Sequence, residues 1–316
     1  MKIAVIIPSY KVKNHILQVI EDIGPEVSKI YVVDDKCPNE SGKYVVQNCQ
    51  DERVNVLFHE KNQGVGGAVK TGYSQALKDG LDIMVKIDGD GQMDSNKINQ
   101  IVQPILAKEA DYVKANRFFY VNELINGMPK IRLIGNSALS FINKIVSGYW
   151  DVMDPTNGYT AIHRHALSLL PLNKIANDYF FESDMLFRLG LIRAVVKDTP
   201  LKPIYEDEES NLSVTKTLFN FPYRYFKRMV KRFIYLYFIR DFNMGSFHFL
   251  IGSILLTFGG VKGSIDWYQS INTGILKSTG TVMISVLTLI LGFQFLISSL
   301  NFDVQNTPTD SLQKNY

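Results

Sequence analysis

Residues 278–302 run for twenty-five positions without a formal charge, and residues 242–261 make a second such run of twenty if His248 is neutral. A helix needs about 20 mainly apolar residues to cross the hydrocarbon layer, and in lipid it satisfies its own backbone polar groups. Both runs therefore read as membrane-spanning helices. The second is the cleaner, because Ser285, Thr288, Gln294 and Ser298 dilute it little. Gly245, Gly252, Gly259 and Gly260 weaken the first as a span and point to close helix packing, and that run also fits a buried helix of a soluble fold. With a connection of about sixteen residues, 262–277, the two runs make a hairpin over 242–302.

The flanking cations set an expected orientation. Arg224, Lys227, Arg228, Lys231, Arg232 and Arg240 precede the hairpin, against Lys262 and Lys277 between its runs. By the positive-inside bias, the part before the hairpin is expected on the cytoplasmic face of the plasma (inner) membrane, with a tail at 303–316 returning there. Within 213–241, Tyr225, Phe226, Met229, Val230, Phe233, Ile234 and Tyr237 fall on one helical stripe, and five of those cations on another. That pattern suits an interfacial helix with its cations on lipid phosphates, as its place directly before a span favours, the alternative being an amphipathic helix packed on the protein surface.

Residues 1–212 carry a different signature. Their strand-like runs at 2–7, 29–33, 54–58, 83–87 and 111–115 alternate with helical periodicity, as at Ile98, Ile101, Val102, Ile105 and Leu106 after Ser95. Repeated β-α units predict an α/β fold with a mainly parallel, Rossmann-like sheet covered by helices on both faces. An apolar content of 46% supports a sizeable core, and a net charge of +3 gives no indication of a nucleic-acid partner. Cys37 and Cys49 are the only cysteines, and they offer neither a C-x-x-C motif nor a disulfide framework, so a reducing compartment is expected. The apolar run broken by Pro8 is too short for a signal-peptide core.

Parallel strands share a carboxyl edge, where α/β folds bind ligands. Three predicted strand ends meet there: Pro8-Ser9-Tyr10, Asp34-Asp35 and Lys86-Ile87-Asp88-Gly89-Asp90-Gly91-Gln92. If the last run keeps strand alternation, Asp88, Asp90 and Gln92 turn three oxygens the same way, a donor set for a hard cation. Asp-Gly-Asp-Gly is also ordinary turn composition. Asp34 and Asp35 read either as ligands of a ribose or base or as loop and cap acids. Asn62-Gln63-Gly64-Val65-Gly66-Gly67-Ala68 opens a helix, where glycine lets backbone approach a ligand or a neighbouring strand. Its spacing is not G-x-G-x-x-G and it follows the third strand, which argues against a dinucleotide site.

Taken in order, Val5-Ile6-Ile7-Pro8-Ser9-Tyr10, Val32-Val33-Asp34-Asp35, the glycine run, Asp88-Gly89-Asp90-Gly91-Gln92, Asn116-Arg117-Phe118, Asp154-Pro155-Thr156-Asn157-Gly158-Tyr159 and Arg240-Asp241-Phe242 resemble the family 2 glycosyltransferases of the GT-A fold. More narrowly they resemble the polyprenyl-phosphate sugar transferases that include dolichol-phosphate mannose synthases. The resemblance implies a metal-dependent, inverting transfer of a hexose from a UDP- or GDP-linked sugar to polyprenyl phosphate. It assigns Pro8, Tyr10, Asp34, Asp35, Gly66 and Asp88 to the nucleotide sugar, Asp88, Asp90 and Gln92 to Mg²⁺ or Mn²⁺, and Arg117 and Arg132 to the acceptor phosphate. Asp90, Asp154 and Asp184 are the expected catalytic carboxylates. Lys11-Val12 stands where the family often has Asn-Glu, and Asn157-Gly158-Tyr159-Thr160 where it usually has Ser-Gly-Phe-Arg.

A lipid phosphate is already anionic at neutral pH, so no strong base is required, although Asp154, Glu182 and Asp184 are all candidates. A family 2 transferase acting on a hydroxyl of a lipid-linked glycan and an inactive membrane adaptor remain alternatives. The sequence leaves the sugar, the nucleotide and self-association of the hairpin open.

Overall fold

The computed structural model describes residues 1–120, 130–202 and 214–315, and the side chains of all of these except 130–134, 214–219 and 315. The chain divides into two compact units, residues 1–229 with 308–316, and residues 230–307.

The first unit is built on β1 (Ile3–Ser9), β2 (Val27–Asp34), β3 (Val54–Phe58), β4 (Ile83–Lys86), β5 (Tyr112–Asn116), β6 (Thr160–His163) and β7 (Val196–Pro200). They form one seven-stranded sheet in the order β3-β2-β1-β4-β6-β5-β7. All neighbours pair in parallel except β6, which runs antiparallel to both β4 and β5. The five strands expected from apolar runs are present, and β6 and β7 are additions to them. Helices α1 (Ile16–Glu21), α2 (Ser41–Asn48), α3 (Val65–Lys78), α4 (Ile98–Leu106), α5 (Lys130–Ser147), α6 (Arg164–Ser168) and α7 (Phe181–Ile192) complete this unit with the first part of α8 (Val214–Ile234).

Strand alternation sorts the core into two layers. Ile3, Val5 and Ile7 meet Ile16, Val19 and Ile20 of α1 and Ile98, Ile101, Val102 and Ile105 of α4 on one face. Ala4, Ile6 and Met84 meet Ala68, Val69 and Tyr73 of α3 and Met185, Leu186 and Leu189 of α7 on the other. Gly72 lets α3 settle directly onto Ile6, where a Cβ would collide. Both faces of the sheet are thus covered, as the β-α alternation predicts.

The packed reading of α8 holds at Tyr225, which is buried, while Phe226, Val230 and Ile234 are exposed. Tyr225 packs edge-on against Phe180 and Phe221, and its hydroxyl joins Asn143 of α5 (3.0 Å) to Ser183 of α7 (2.8 Å). Three arginines are committed to carboxylates: Arg224 to Asp178 at 2.6 Å, Arg228 to Asp184 at 2.9 Å and Arg232 to Asp303 at 2.9 Å. Lys227 and Lys231 remain on the exposed side.

The second unit is a helical hairpin, α9 (Met244–Thr273) and α10 (Thr279–Gln305), preceded by a π-helical turn at Tyr235–Arg240. Both helices are long and apolar enough to cross a membrane. Their outward residues include Ile254, Phe258, Ile265, Ile290, Phe293 and Ile297, all exposed, a surface that lipid covers without cost and water does not. Asn243 caps α9 through a reciprocal bond with Ser246, Gly274 closes it at φ 66°, and Ser278 caps α10. The connection is shorter than the sequence indicates. α9 continues past the apolar run to Thr273, with Lys262 paired to Asp266 one turn on at 2.6 Å and Gly274 closing it, leaving residues 274–278 as the link. Gly252, Gly259 and Gly292 lie where a Cβ would strike the facing helix, so close approach is found at the expected Gly252 and Gly259, whereas Gly260 faces open space.

After α10 the chain rejoins the first unit. The Asp111 carboxylate accepts the backbone N–H groups of Val195 (2.9 Å), Leu312 (2.9 Å) and Gln313 (3.2 Å). The Gln313 amide donates to the carbonyls of Ile105 (3.1 Å) and Ala110 (2.7 Å), and Ser311 donates to that of Lys108 (2.6 Å). Replacing Gln313 by Ala takes the side-chain donor from the Ala110 carbonyl, while that of Ile105 keeps the Lys108 N–H at 2.9 Å, and should lower stability by about 2 kcal/mol, read as a shift in the denaturant midpoint of the detergent-solubilised protein at unchanged m-value.

Candidate active site

The carboxyl ends of β1, β2 and β4 open onto one edge, as expected from a parallel sheet. β1 ends in half-buried Pro8 and buried Ser9, followed by exposed Tyr10. Lys11 is held at φ 62° and its N–H donates to Cys37 Sγ at 3.1 Å, which ties the loop after β1 to the loop after β2. Cys37 and Cys49 are both free thiols.

Asp34 and Asp35 at the end of β2 are buried and turned toward backbone donors. Asp34 accepts the N–H groups of Cys37 (2.8 Å) and Gly42 (2.7 Å), fixing the entry to α2. Asp35 accepts those of Gln63 (2.8 Å) and Gly64 (2.7 Å) and meets His59 Nδ1 at 2.7 Å. Of the two readings open for this pair, the observed bonds are those of loop acids. The glycine run resolves similarly: Gly66 donates its N–H to the Asn177 carbonyl at 2.8 Å, and neither Gly64, at φ 83°, nor Gly66 leaves room for a Cβ beside residues 176–177. The close approach it permits is that of a neighbouring backbone segment.

β4 ends at Lys86, so the alternation assumed for Asp88, Asp90 and Gln92 does not extend to them. They lie in a turn that Gly91 closes at φ 81°, with the Asp90 carboxylate accepting the Gln92 N–H at 3.1 Å. The turn leaves all three side chains partly exposed at the carboxyl edge. Behind it sits an ion triad that sequence reasoning missed. The Lys86 ammonium, 1% exposed, lies 2.8 Å from Asp88 Oδ1 and 3.2 Å from Glu182 Oε1. Burial opposes its charge, but Asp88 and Glu182 outweigh that and raise its pKa above the ordinary lysine value.

The antiparallel course of β6 delivers the other half of the site. Its first residue, Thr160, pairs with Lys86 on one side and Lys114 on the other, so residues 154–158 just before it arrive at the carboxyl ends of β4 and β5. Gly158 is required there, because a Cβ would run into Lys86 Nζ and the Asp88 carboxylate. Asp154, 1% exposed, takes a two-pronged bond from Arg117, Nε at 2.8 Å and a terminal nitrogen at 3.0 Å. Lys114 Nζ donates to the Asn157 carbonyl at 2.6 Å. Burial lowers its pKa to about 8, against the pull of Glu182, Asp154 and Asp198.

Asp184 stands apart from these residues. It is fully buried and accepts from Arg228 (2.9 Å), Arg188 (3.3 Å) and the Ala176 N–H (2.9 Å), joining α7 to α8 and to the segment that covers the glycine run. The Arg132 side chain lies outside the described residues. Among the described residues no group of three His, Cys, Asp or Glu side chains gathers closely enough to hold a metal ion.

An acidic turn from one strand and an Arg-braced acidic turn before its antiparallel neighbour thus share the carboxyl edge. Comparison with known proteins gives the family. The sequence model described as glycosyl transferase family 2 matches residues 4–170. The UDP-N-acetylglucosamine–dolichyl-phosphate N-acetylglucosaminyltransferase of Methanococcus voltae is 30% identical over 219 residues, 65% of this chain and 86% of the relative. The undecaprenyl-phosphate mannosyltransferase of Micrococcus luteus is 28% identical over 206 residues, 64% and 83% of the two chains. Glucosyl-3-phosphoglycerate synthase from Mycobacterium tuberculosis, crystallised with Mn²⁺, UDP and phosphoglyceric acid, superposes with a TM-score of 0.52 at 20% identity, covering 73% of this chain and 78% of that one. That likeness is one of fold.

Asp198 supplies a pH signature of the site's packing. Its Oδ2 accepts from Asn116 (2.6 Å) and the Met153 N–H (2.8 Å), and its buried Oδ1 has no hydrogen-bond partner among the described residues. Burial raises its pKa from 3.8 to about 6, against the lowering effect of Met153 and Lys114. The folded chain therefore keeps a proton that the unfolded chain has lost, and the stability this lends is complete below 3.8 and gone above about 6. Between about pH 3.5 and pH 7 the wild type should lose about 3 kcal/mol more than Asp198→Asn, measured by denaturant unfolding of both proteins across that range.

Proposed function

The chain belongs to glycosyl transferase family 2, and from that premise we propose that it moves a hexose from a nucleoside-diphosphate sugar to a polyprenyl phosphate at the cytoplasmic face of a membrane. The observation that carries this reading is the delivery of the Asp88-Gly89-Asp90 turn and the Asp154–Arg117 pair to the same carboxyl edge, beyond Lys86 of β4 and Lys114 of β5, in a chain with two helices apolar enough to span a bilayer. The Methanococcus and Micrococcus relatives are named for dolichyl and undecaprenyl phosphate acceptors, which supports a lipid phosphate here.

The residues fit a hard divalent ion. Asp88, Asp90 and Gln92 offer only oxygen ligands from a partly exposed turn, and two carboxylates with substrate phosphates are a normal Mg²⁺ or Mn²⁺ environment. When bound, the ion offsets the charge that grows on the departing diphosphate. The rest falls to the chain's own side chains. Pro8 and Tyr10 border the nucleoside, while Asp34, Asp35 and Gly66 act through the loops they fix around it. Arg117, oriented by Asp154, holds an anionic acceptor, and Arg132 is proposed beside it. Because the acceptor phosphate is already an anion, Asp154 orients and needs to take no proton. Direct attack by that anion inverts the anomeric carbon. Asp184 supports the site from below through α7 and the segment at 176–177.

The deciding experiment gives the purified chain a panel of UDP- and GDP-sugars with Mn²⁺ or Mg²⁺ and a polyprenyl phosphate, and identifies the lipid product by mass. One sugar on polyprenyl phosphate is expected; a sugar on a hydroxyl of a lipid-linked glycan, or turnover unchanged after chelation, would overturn the reading. In the same assay Asp90→Ala should lower turnover by about 100-fold or more. Arg117→Ala should reduce it comparably, with the loss concentrated in the acceptor KM.

A further inference from the structure

A lysine ammonium next to a proposed cation ligand is an unusual neighbour, since two positive charges would compete for one carboxylate. Lys86 has no alternative position: it is 1% exposed, at the end of a central strand, and the backbone at Gly158 closes the side facing β6. Asp88 is 29% exposed and Glu182 11%, so Asp88 reaches outward while Glu182 stays behind. The ammonium is thus divided between an inner carboxylate at 3.2 Å and the outer one at 2.8 Å. Glu182 enters from the first turn of α7, whereas Lys114, on the far side of β6, reaches the Asn157 carbonyl. Lys86 is the cation that bonds Asp88 among the described ion pairs.

We propose that Lys86 and Glu182 are positioning residues that set how strongly the Asp88 turn holds a divalent cation, Lys86 by sharing the Asp88 carboxylate with it and Glu182 by drawing part of the ammonium's charge away. This rests on the metal reading given above. Its physical content is a sign. Removing Glu182's charge throws the whole ammonium onto Asp88 and weakens cation binding, whereas removing the ammonium frees Asp88 and strengthens it. A purely structural triad would shift both variants in the same direction or in neither.

The test is binding of Mn²⁺ alone to the full chain in detergent, read from the electron paramagnetic resonance of free Mn²⁺, with no sugar donor present. Glu182→Gln should raise the Mn²⁺ dissociation constant about tenfold, and Lys86→Met should lower it by a similar factor. Because Lys86→Met leaves Glu182 buried without its partner, the double variant K86M/E182Q provides the second measurement; it removes both charges together and should also bind more tightly than wild type. Wild-type binding with unchanged constants in the variants, or weakening in all three, overturns this inference and leaves the metal reading intact. Where Mn²⁺ binds only with UDP added, the variants are compared in its presence, and a wild-type chain that gathers no Mn²⁺ either alone or with UDP overturns both readings.

Discussion

The pairing of Thr160 with Lys86 on one side and Lys114 on the other is the constraint on which the site depends. A strand entering antiparallel between two parallel neighbours begins where they end, so the residues before it land on the carboxyl edge. This is how Asp154 reaches Arg117 and how Gly158 comes to lie over Lys86 and Asp88. A parallel strand in the same place would have carried the same loop to the opposite edge of the sheet. The direction of one four-residue strand therefore decides whether the acidic turns meet.

That arrangement places two lysines, Lys86 and Lys114, inside the unit, each costly to desolvate and each compensated differently. Lys86 has two carboxylates within ion-pair distance, and Lys114 has a carbonyl with its carboxylates farther away. The contrast explains why one is held charged and the other drifts down to about 8. The charges under the site are organised in lines running across the sheet, from Glu182 through Lys86 to Asp88 and from Lys114 toward Asp154 and Asp198.

Much of the fold was legible from the sequence because buried parallel strands are nearly continuous apolar runs, which made β1 to β5 readable. β6 is four residues, Thr-Ala-Ile-His, and β7 ends in Asp-Thr-Pro, so neither has the length or periodicity that marks a strand. The hairpin was legible from the absence of charge, and its connection was misjudged because α9 runs on as a polar helix, Lys262 and Asp266 included, past the apolar run to Gly274. For the site, sequence located the acidic strand ends but not the direction of their side chains. Asp35 bonds Gln63 and Gly64 and Asp184 bonds Arg228, partners distant in sequence that no local pattern reports, whereas Asp34 takes the nearby N–H groups of Cys37 and Gly42. Lys86 carried one signal that was passed over: a lysine inside an otherwise apolar strand needs a buried partner.

The docking of residues 311–313 on Asp111 makes the hairpin an insert within the first unit's own sequence. Ribosomal synthesis proceeds in one direction, so Leu312 and Gln313 emerge only after both apolar helices have been made. The backbone carbonyls that Gln313 covers stay open to water until then. Completion of the first unit is thereby deferred until the hairpin has been made, which links the assembly of the two units through a few hydrogen bonds.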